Sequence, residues 1–268
     1  MGTVEANGVS LAYELIGSGP ETIVFLNGIA MSISHWKPIA EPLSSRYSCL
    51  LHDCRGQLLS EKPPGPYSLE QHAHDTAALL RAQGIDSAHI VGTSYGAEIA
   101  MVLAYTHPEC VRSLVLIDGV SQTDPVLCAA VTSWKSAALV DPVVFYRTLI
   151  PWNYSAGYLN MHSEELRDRE SVIAELPNEY FTAFAELCDA FLAIDVTRHL
   201  SQIRCPTLVV VGERDILKPR RFSEIIAAGI ENARLEVVGG AGHAVVIEQP
   251  EAIQRLVRTF VKNVRGME

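Results

Sequence analysis

A short motif around Ser94 has the residue types and spacing of a serine nucleophile. The sequence Gly-Thr-Ser-Tyr-Gly at 92–96 follows an apolar run, 88–92, and precedes an Ala-rich segment, 98–106, that is predicted to be helical. In this strand–turn–helix context the small flanking residues let the strand and the helix approach closely, so that the serine Oγ projects above the sheet. The alternative is a chance match on a glycine-rich turn, and the flanking elements favour the nucleophile.

His243 is the best candidate for the base that must activate a serine hydroxyl before it can attack a carbonyl carbon. It ends the sequence Gly-Gly-Ala-Gly-His at 239–243, a glycine-rich loop after the last predicted strand. Functional side chains commonly lie on loops that a rigid scaffold holds in place. The other eight histidines are better explained as surface or packing residues: His35, His52, His72, His74, His89, His107, His162 and His199.

The third member of such a site is a carboxylate that orients the imidazole and stabilises its protonated form. Asp215 and Asp118 are the two candidates, because each stands at or just beyond the end of a predicted buried strand. Asp215 is favoured, since one helix and one strand separate it from His243, which places their two loops at the same edge of the sheet. Asp118 is expected to turn the chain out of the sheet instead.

The elements that must position these residues follow an alternating pattern. Short apolar runs alternate with helical stretches, which predicts a mostly parallel sheet with helices on its faces. Strands are predicted at 3–6, 10–16, 22–27, 47–53, 88–92, 111–118, 207–212 and 235–238, the first two joined by a tight turn at Asn7-Gly8. Helices are predicted after a capping box at Ser68 and at 98–106, 222–230 and 250–264.

The strand pattern stops between about residues 119 and 204, where the sequence reads as helices and loops rich in Trp, Tyr and Phe. We therefore predict an α/β core at 1–118 and 205–268, interrupted by a helical cap at 119–204. A chain of 268 residues accommodates this arrangement as one folding unit with a lid.

Composition and charge exclude several classes of function. The 21 basic and 31 acidic side chains give a formal charge of −10, and no Lys/Arg cluster occurs, which argues against nucleic acid as a partner. No apolar run approaches the roughly 20 residues of a membrane span. The first residues lack a secretory signal, and the six cysteines form no C-x-x-C pair, so we expect a cytoplasmic protein with free thiols. No metal-ligand spacing or phosphate-binding glycine motif is found, so we expect no metal and no cofactor; a homo-oligomer stays open.

The chain resembles the α/β-hydrolase fold superfamily over nearly its whole length. The resemblance rests on the motif at Ser94, on Gly-Glu-Arg-Asp at 212–215, and on Gly-His-Ala at 242–244 followed by Glu-Gln-Pro-Glu at 248–251. It implies an α/β fold with a mostly parallel central sheet, flanking helices and a helical cap insertion.

Two loops depart from the usual pattern of this superfamily. Asp-Cys-Arg-Gly at 53–56 matches capped relatives, but Gln57 and Leu58 stand where those relatives usually have His and Gly, which leaves the shape of this loop open. Asn27 replaces the usual His after the third strand, with Trp36 beyond it, and this is similar to oxoadipate enol-lactonases. A contact with substrate and a purely local structural role are equally good explanations of Asn27 and Trp36.

The resemblance also implies where the remaining site residues lie. The backbone N–H groups of Ile29 and Tyr95 would form an oxyanion hole, and losing one such donor typically costs about 10²–10³ in rate. Trp134, Tyr146 and Trp152 could line a small apolar substrate pocket in the cap, although each aromatic is more simply explained by packing. Arg147 is a conceivable carboxylate partner to which the sequence assigns no role.

These residues predict a serine hydrolase that cleaves a small carboxylic ester or lactone through an acyl-enzyme intermediate. Ser94 would attack, His243 would accept its proton, and Asp215 would hold the imidazole. One alternative is a ligand-binding receptor on the same fold with slow or vestigial hydrolysis, because a fold does not fix a function. Another is non-hydrolytic chemistry on the same three residues, such as carbon–carbon bond cleavage, perhydrolysis or cofactor-free oxygenation.

Overall fold

An eight-stranded sheet forms the centre of the protein, in a computed structural model that describes residues 1–265. The strand order is β1-β2-β4-β3-β5-β6-β7-β8; β1 and β2 are antiparallel to their neighbours and all later pairs are parallel. The strands are β1 Gly2–Ala6, β2 Val9–Ile16, β3 Thr22–Leu26, β4 Ser48–His52, β5 Ala88–Thr93, β6 Val111–Ile117, β7 Thr207–Gly212 and β8 Ala233–Val238. The predicted mostly parallel sheet is confirmed.

Helices cover both faces of this sheet. The helices outside residues 119–204 are α1 Lys37–Leu43, α2 Leu69–Ala82, α3 Tyr95–Thr106, α9 Arg220–Gly229, α10 Val245–Glu248 and α11 Pro250–Arg265. The side chains of β3 show the two layers: Val24 and Leu26 join the apolar cluster that includes α2 and α3, whereas Ile23 and Phe25 join the cluster under α1 and α11. This alternation is what a sheet buried on both faces requires.

The sequence predicts the turn between β1 and β2 and the start of α2, but it does not predict α1. Asn7 and Gly8 take φ values of 53° and 72°, as a tight hairpin turn needs, and Ser68 Oγ accepts a hydrogen bond from the N–H of Gln71 at the start of α2. The pattern does not predict α1, a short helix with Pro42 inside it. Its buried residues pack on α11 and β4, so tertiary contact stabilises it.

Residues 119–204, which we call the cap segment, lie between β6 and β7. Their helices are α4 Pro125–Ala138, α5 Pro142–Asn153, α6 Ala156–Met161, α7 Ser163–Ala174 and α8 Asn178–Leu192. In this segment, α4 packs on α5 and α8, and α5 packs on α7. Within residues 1–265 no helix has both the length and the apolar character needed to cross a membrane.

Candidate active site

The turn between β5 and α3 holds Ser94 in a conformation that L-residues rarely adopt, with φ 51° and ψ −117°. The two glycines of the motif permit this turn. A Cβ on Gly92 would collide with the carbonyl of Gly96, and a Cβ on Gly96 would collide with the carbonyl of Leu26. Such backbone strain costs of order 1–3 kcal/mol and persists where the surrounding structure enforces it. Ser94 is thereby held at the carboxyl edge of the sheet.

The structure brings Ser94, His243 and Asp215 together in the predicted order. Ser94 Oγ lies 2.9 Å from His243 Nε2, and His243 Nδ1 lies 2.8 Å from Asp215 Oδ2. A carboxylate only accepts hydrogen bonds, so Nδ1 carries the proton and Nε2 is left to accept from Ser94. The other oxygen of Asp215, Oδ1, accepts from the N–H groups of Leu217 and Lys218, at 2.8 Å each. The acid is therefore fixed in place before any ligand arrives.

Asp118, the alternative acid, lies beside Asp215 rather than in its place. It is fully buried, takes a φ of 49°, and accepts the N–H of Gly212 at 2.9 Å. Burial, and next the negative charge of Asp215, raise the pKa of Asp118 well above its usual range. Two adjacent buried carboxyls cannot both ionise easily, so Asp118 is the member of the pair that keeps a proton.

Asp118, Asp215 and His243 also place three possible metal-ligand atoms within 4.8 Å of one another. The Asp215 oxygens already accept three hydrogen bonds, one of them from His243. Metal ligands must be deprotonated, so a cation bound here would have to displace the proton of Asp118. Asp118, Asp215 and His243 therefore fit a hydrogen-bonded network better than a metal site.

A buried ion pair connects the nucleophile helix to the acid loop. Lys218 Nζ lies 3.0 and 3.1 Å from the two carboxylate oxygens of Glu98, which also accepts the N–H of Val120 at 2.8 Å. The side chains of Lys218 and Glu98 are 2% and 0% exposed. Because α3 carries Glu98 four residues after Ser94, this pair ties the strand ends that bear Ser94, Asp118 and Asp215 to one another.

Two backbone N–H groups lie beside Ser94, where the sequence predicts an oxyanion hole. Neither Ile29 N–H nor Tyr95 N–H donates a hydrogen bond to any group within residues 1–265. A recess of about 10 Å³ has Ile29, Ser94, Tyr95 and Trp134 among its lining residues. That volume is close to the smallest that holds one water-sized oxygen. The recess is thus of the right size for the oxygen of a carbonyl group whose carbon is attacked by Ser94 Oγ.

Asn27 and Trp36, predicted as pocket residues, do not line the cavity above Ser94. Both are 0% exposed, and Trp36 Nε1 donates to Asn27 Oδ1 at 2.9 Å. Asn27 Nδ2 in turn donates to Asp53 Oδ1 at 2.9 Å and to Gln57 Oε1 at 3.1 Å. The local structural explanation therefore describes them, because every polar atom of Asn27's side chain is engaged below the loop.

Gln57 fills the place of the usual His and connects this network to the oxyanion loop. Its Oε1 also accepts the N–H of Cys54 at 2.9 Å, and its Nε2 donates to the carbonyls of Gly28 at 2.9 Å and Ile29 at 3.4 Å. Gln57 is 1% exposed. A carboxamide can both donate and accept here, so the departure from the family pattern is matched by the departure at Asn27. The sequence does not reveal this pairing, since the two residues are far apart in the chain.

A cavity of about 490 Å³ lies above Ser94 and His243, lined by both the core and the cap segment. Of the predicted aromatic residues, Trp134 and Tyr146 line it. Trp152 instead packs partly buried against the main apolar cluster. Arg147 is exposed and paired with Glu170 at 2.7 Å, outside the cavity. The cavity-lining arginine is Arg169, on α7, which sequence reasoning missed because no pattern shows which side of α7 faces the core.

Glu248 fastens the loop of His243 to the cap segment. Its two carboxylate oxygens accept the N–H and the hydroxyl of Ser155, at 2.7 Å each, and one of them also accepts the N–H of Gly242 at 3.1 Å. A Cβ on Gly242 would lie 2.6 Å from Ser155 N, so only glycine permits this approach. The glycine-rich loop thus reflects close packing against the cap segment as well as freedom to turn.

The chain belongs to the α/β-hydrolase fold family, because the sequence model of the alpha/beta hydrolase fold matches residues 21–250. Among curated relatives, the "Putative carbamate hydrolase RutD" of Azorhizobium caulinodans is 30% identical over 252 residues, covering 93% of this chain and 94% of the relative. The match to the family confirms the resemblance drawn from the motifs at Ser94, Asp215 and His243.

Solved structures give the same result. MGS-M2, an alpha/beta hydrolase enzyme from a Medee basin deep-sea metagenome library, has a TM-score of 0.93 at 28% identity, covering 97% of each chain. The enol-lactonase from Burkholderia xenovorans LB400 has a TM-score of 0.88 at 24% identity, covering 97% of this chain and 100% of that chain, and at this identity the likeness concerns the fold. The curated relative and MGS-M2 support a hydrolase, and the enol-lactonase supports the α/β fold.

Proposed function

We propose that the protein hydrolyses a small carboxylic ester or lactone through an acyl-enzyme formed on Ser94. The observation that carries this proposal is the unbroken line from Ser94 Oγ through His243 to Asp215, with separations of 2.9 and 2.8 Å, at the floor of the cavity. A serine hydroxyl in this setting loses its proton to the imidazole as it attacks, and the carboxylate stabilises the imidazolium that results.

The N–H groups of Ile29 and Tyr95 complete the proposed mechanism. Both are without an acceptor within residues 1–265, and Ile29 and Tyr95 line a recess of about 10 Å³ beside Ser94. Donors that are in place before the reaction stabilise a developing oxyanion without reorganisation. His243 then returns its proton to the leaving alcohol and activates the water that releases the acyl group.

The experiment compares wild type with Ser94→Ala on a panel of short aryl esters and lactones. Loss of the nucleophile lowers kcat by about 10⁴-fold or more, because the members of such a site act as a unit. A fluorophosphonate probe adds its mass to wild type at Ser94 and adds none to the variant. Retained ester turnover in Ser94→Ala would refute the proposal.

Ser113→Ala is a matched control. Ser113 Oγ also lies 2.8 Å from a histidine nitrogen, His89 Nδ1, but both residues are buried in the sheet and neither lines the cavity. The control loses a serine–histidine hydrogen bond without touching the proposed site. Full turnover and full probe labelling are therefore expected for Ser113→Ala.

A small carbamate is a second candidate substrate, because the relative that is 30% identical over 93% of this chain is the "Putative carbamate hydrolase RutD" of Azorhizobium caulinodans. The same attack on a carbonyl carbon would apply: an aryl carbamate would lose its aryl alcohol to leave a carbamoyl-enzyme on Ser94, which water would then hydrolyse. Aryl carbamates in the panel distinguish the two, because a carbamate that only acylates Ser94 stalls after one equivalent, whereas a true substrate turns over.

A further inference from the structure

The cap side of the cavity contains a charge that the proposed chemistry at Ser94 does not use. Among the described residues that line the cavity, Arg169 is the one with a permanent charge, and none is Asp or Glu. Apolar pockets hold few polar groups, and those few set the orientation and specificity of the ligand. In a chain with a formal charge of −10, a cationic cavity wall fits an anionic ligand.

The guanidinium of Arg169 is only partly engaged by the protein. One Nη donates to Tyr154 Oη at 3.0 Å, and the other donates to Glu165 Oε1 at 2.9 Å. A guanidinium has five N–H groups, so three have no acceptor within residues 1–265. The side chain of Glu165 is 51% exposed, so water screens its charge, whereas Arg169 is 28% exposed. The cation is therefore not fully neutralised by its neighbour.

The charge of Arg169 also acts on His35, a residue of the core that lines the same cavity. Burial, and next the Arg169 cation, lower the pKa of His35, another residue that lines the cavity. His35 is thus neutral near pH 7 and leaves Arg169 as the source of positive charge.

Tyr146 provides an independent sign that a ligand belongs in this part of the cavity. It is 7% exposed and lines the cavity, yet its Oη has no hydrogen-bond partner among the described residues. Tyr146 and Arg169 line the same cavity. Burial, and next Tyr154, raise the pKa of Tyr146, whereas the Arg169 charge lowers it. Buried hydroxyls are nearly always hydrogen-bonded, and an acceptor is missing here.

We propose that the substrate bears a carboxylate on the part that faces the cap segment, bound by Arg169 and Tyr146. The inference rests on the proposed function, which it narrows to monoanionic esters or lactones. A planar guanidinium matches a carboxylate through two parallel hydrogen bonds, and the Tyr146 hydroxyl donates a third. Arg169 and Tyr146 would then determine specificity, while Ser94 and His243 would act on a carbonyl elsewhere in the same molecule.

The test compares monomethyl esters of succinate, glutarate and adipate with methyl esters of the corresponding monoamides, which have the same shape without the charge. We expect wild type to favour the best carboxylate ester in kcat/KM by about 10- to 100-fold, the range that charge-assisted hydrogen bonds allow. Arg169→Met abolishes this preference, because KM rises for the carboxylate esters and the ratio of the two kcat/KM values falls to about one. Arg169→Lys retains part of it, because the charge stays and the bidentate geometry is lost.

Arg147→Met is the matched control, because Arg147 is also a cap-segment arginine paired with a glutamate of α7 but lies outside the cavity. It retains the full preference. If Arg169→Met does not fold, inhibition of wild type by glutarate is compared with inhibition by glutaramide, using a neutral aryl ester as the reporter. We expect glutarate to inhibit at least about tenfold more strongly.

The outcomes separate this inference from the proposed function. In one outcome, kcat/KM is equal for the acid and amide esters, turnover of both depends on Ser94, and glutarate inhibits no more strongly than glutaramide. This outcome overturns the carboxylate site and leaves the hydrolase proposal intact. If no ester is turned over but glutarate still raises the melting temperature of wild type and not of Arg169→Met, the carboxylate site stands and the hydrolase proposal falls.

Discussion

Replacing Gln57 by Met tests whether the unusual Asn27–Gln57 pair positions the proposed oxyanion loop. The change keeps the length of the side chain and removes hydrogen bonds of 2.9, 2.9 and 3.1 Å to Gly28, Cys54 and Asn27. At about 0.5–1.5 kcal/mol net for each bond, the free energy of unfolding falls by about 2–4 kcal/mol. Because the carbonyl of Gly28 loses its anchor, the next N–H, that of Ile29, is displaced.

The effect on turnover follows from that displacement. Deleting one oxyanion donor costs about 10²–10³ in kcat, so displacing one lowers kcat by about 10- to 100-fold with little change in KM. The assay measures kcat and KM on a neutral aryl ester at a temperature where urea unfolding shows the variant to be folded. Inhibition by a boronic acid, which mimics the tetrahedral intermediate, weakens in parallel with kcat.

Gln254→Met serves as the control, because Gln254 is a buried glutamine of α11 that does not line the cavity. Its kcat stays at the wild-type value. A Gln57→Met enzyme that is less stable but has wild-type kcat and wild-type affinity for the boronic acid would show that Gln57 only supports the fold, and the positioning argument would be refuted.

Two further predictions concern buried charge. Burial lowers the pKa of both His52 and His72 to about 4. Between pH 6.5 and pH 4 these two histidines therefore bind protons more readily in the unfolded chain than in the folded one. The stability that the protein has above pH 6.5 is lost as the pH falls through this range. The free energy of unfolding, measured with urea, should be lower at pH 5 than at pH 7 by about 2 kcal/mol per histidine. His72→Phe should reduce this difference, and an unchanged difference in the variant contradicts the prediction. Lys218→Met should cost about 3–5 kcal/mol in chemical denaturation by leaving Glu98 unpaired, and adding Glu98→Met should restore part of the loss; equal stability of the single and double variants contradicts the ion-pair argument.

The sequence predicts the fold and the constellation around Ser94 because both depend on local patterns. Strand-ending motifs lie at one sheet edge by topology alone, so Asp215 and His243 could be placed near Ser94 without coordinates. The start of α3 at Tyr95 rather than at 98 follows from the strained turn at Ser94, where the helix begins at once.

Contacts that span the chain are what the sequence does not reveal. The hydrogen bond between Asn27 and Gln57 joins residues on different loops, and each residue alone looks like a departure from the family pattern. Sequence reasoning considers Arg147 and misses Arg169, because only the packing of α5 against α7 decides which arginine faces the cavity. Trp152 is aromatic like Trp134, yet it packs outside the cavity. Side-chain direction in the cap segment depends on tertiary packing, which periodicity does not encode.

The link between Glu248 and Ser155 limits how freely the cap segment can be exchanged among relatives. The carboxylate of Glu248 holds Ser155 and Gly242 at the same time, and the N–H of Ala244 donates to the carbonyl of Asn153 at 2.7 Å. A chimera that brings in a foreign lid without a partner for Glu248 would therefore alter the loop on which His243 sits. Grafts that end before Asn153 keep this joint, so swapping specificity by transplanting α4 and most of α5 disturbs the base least.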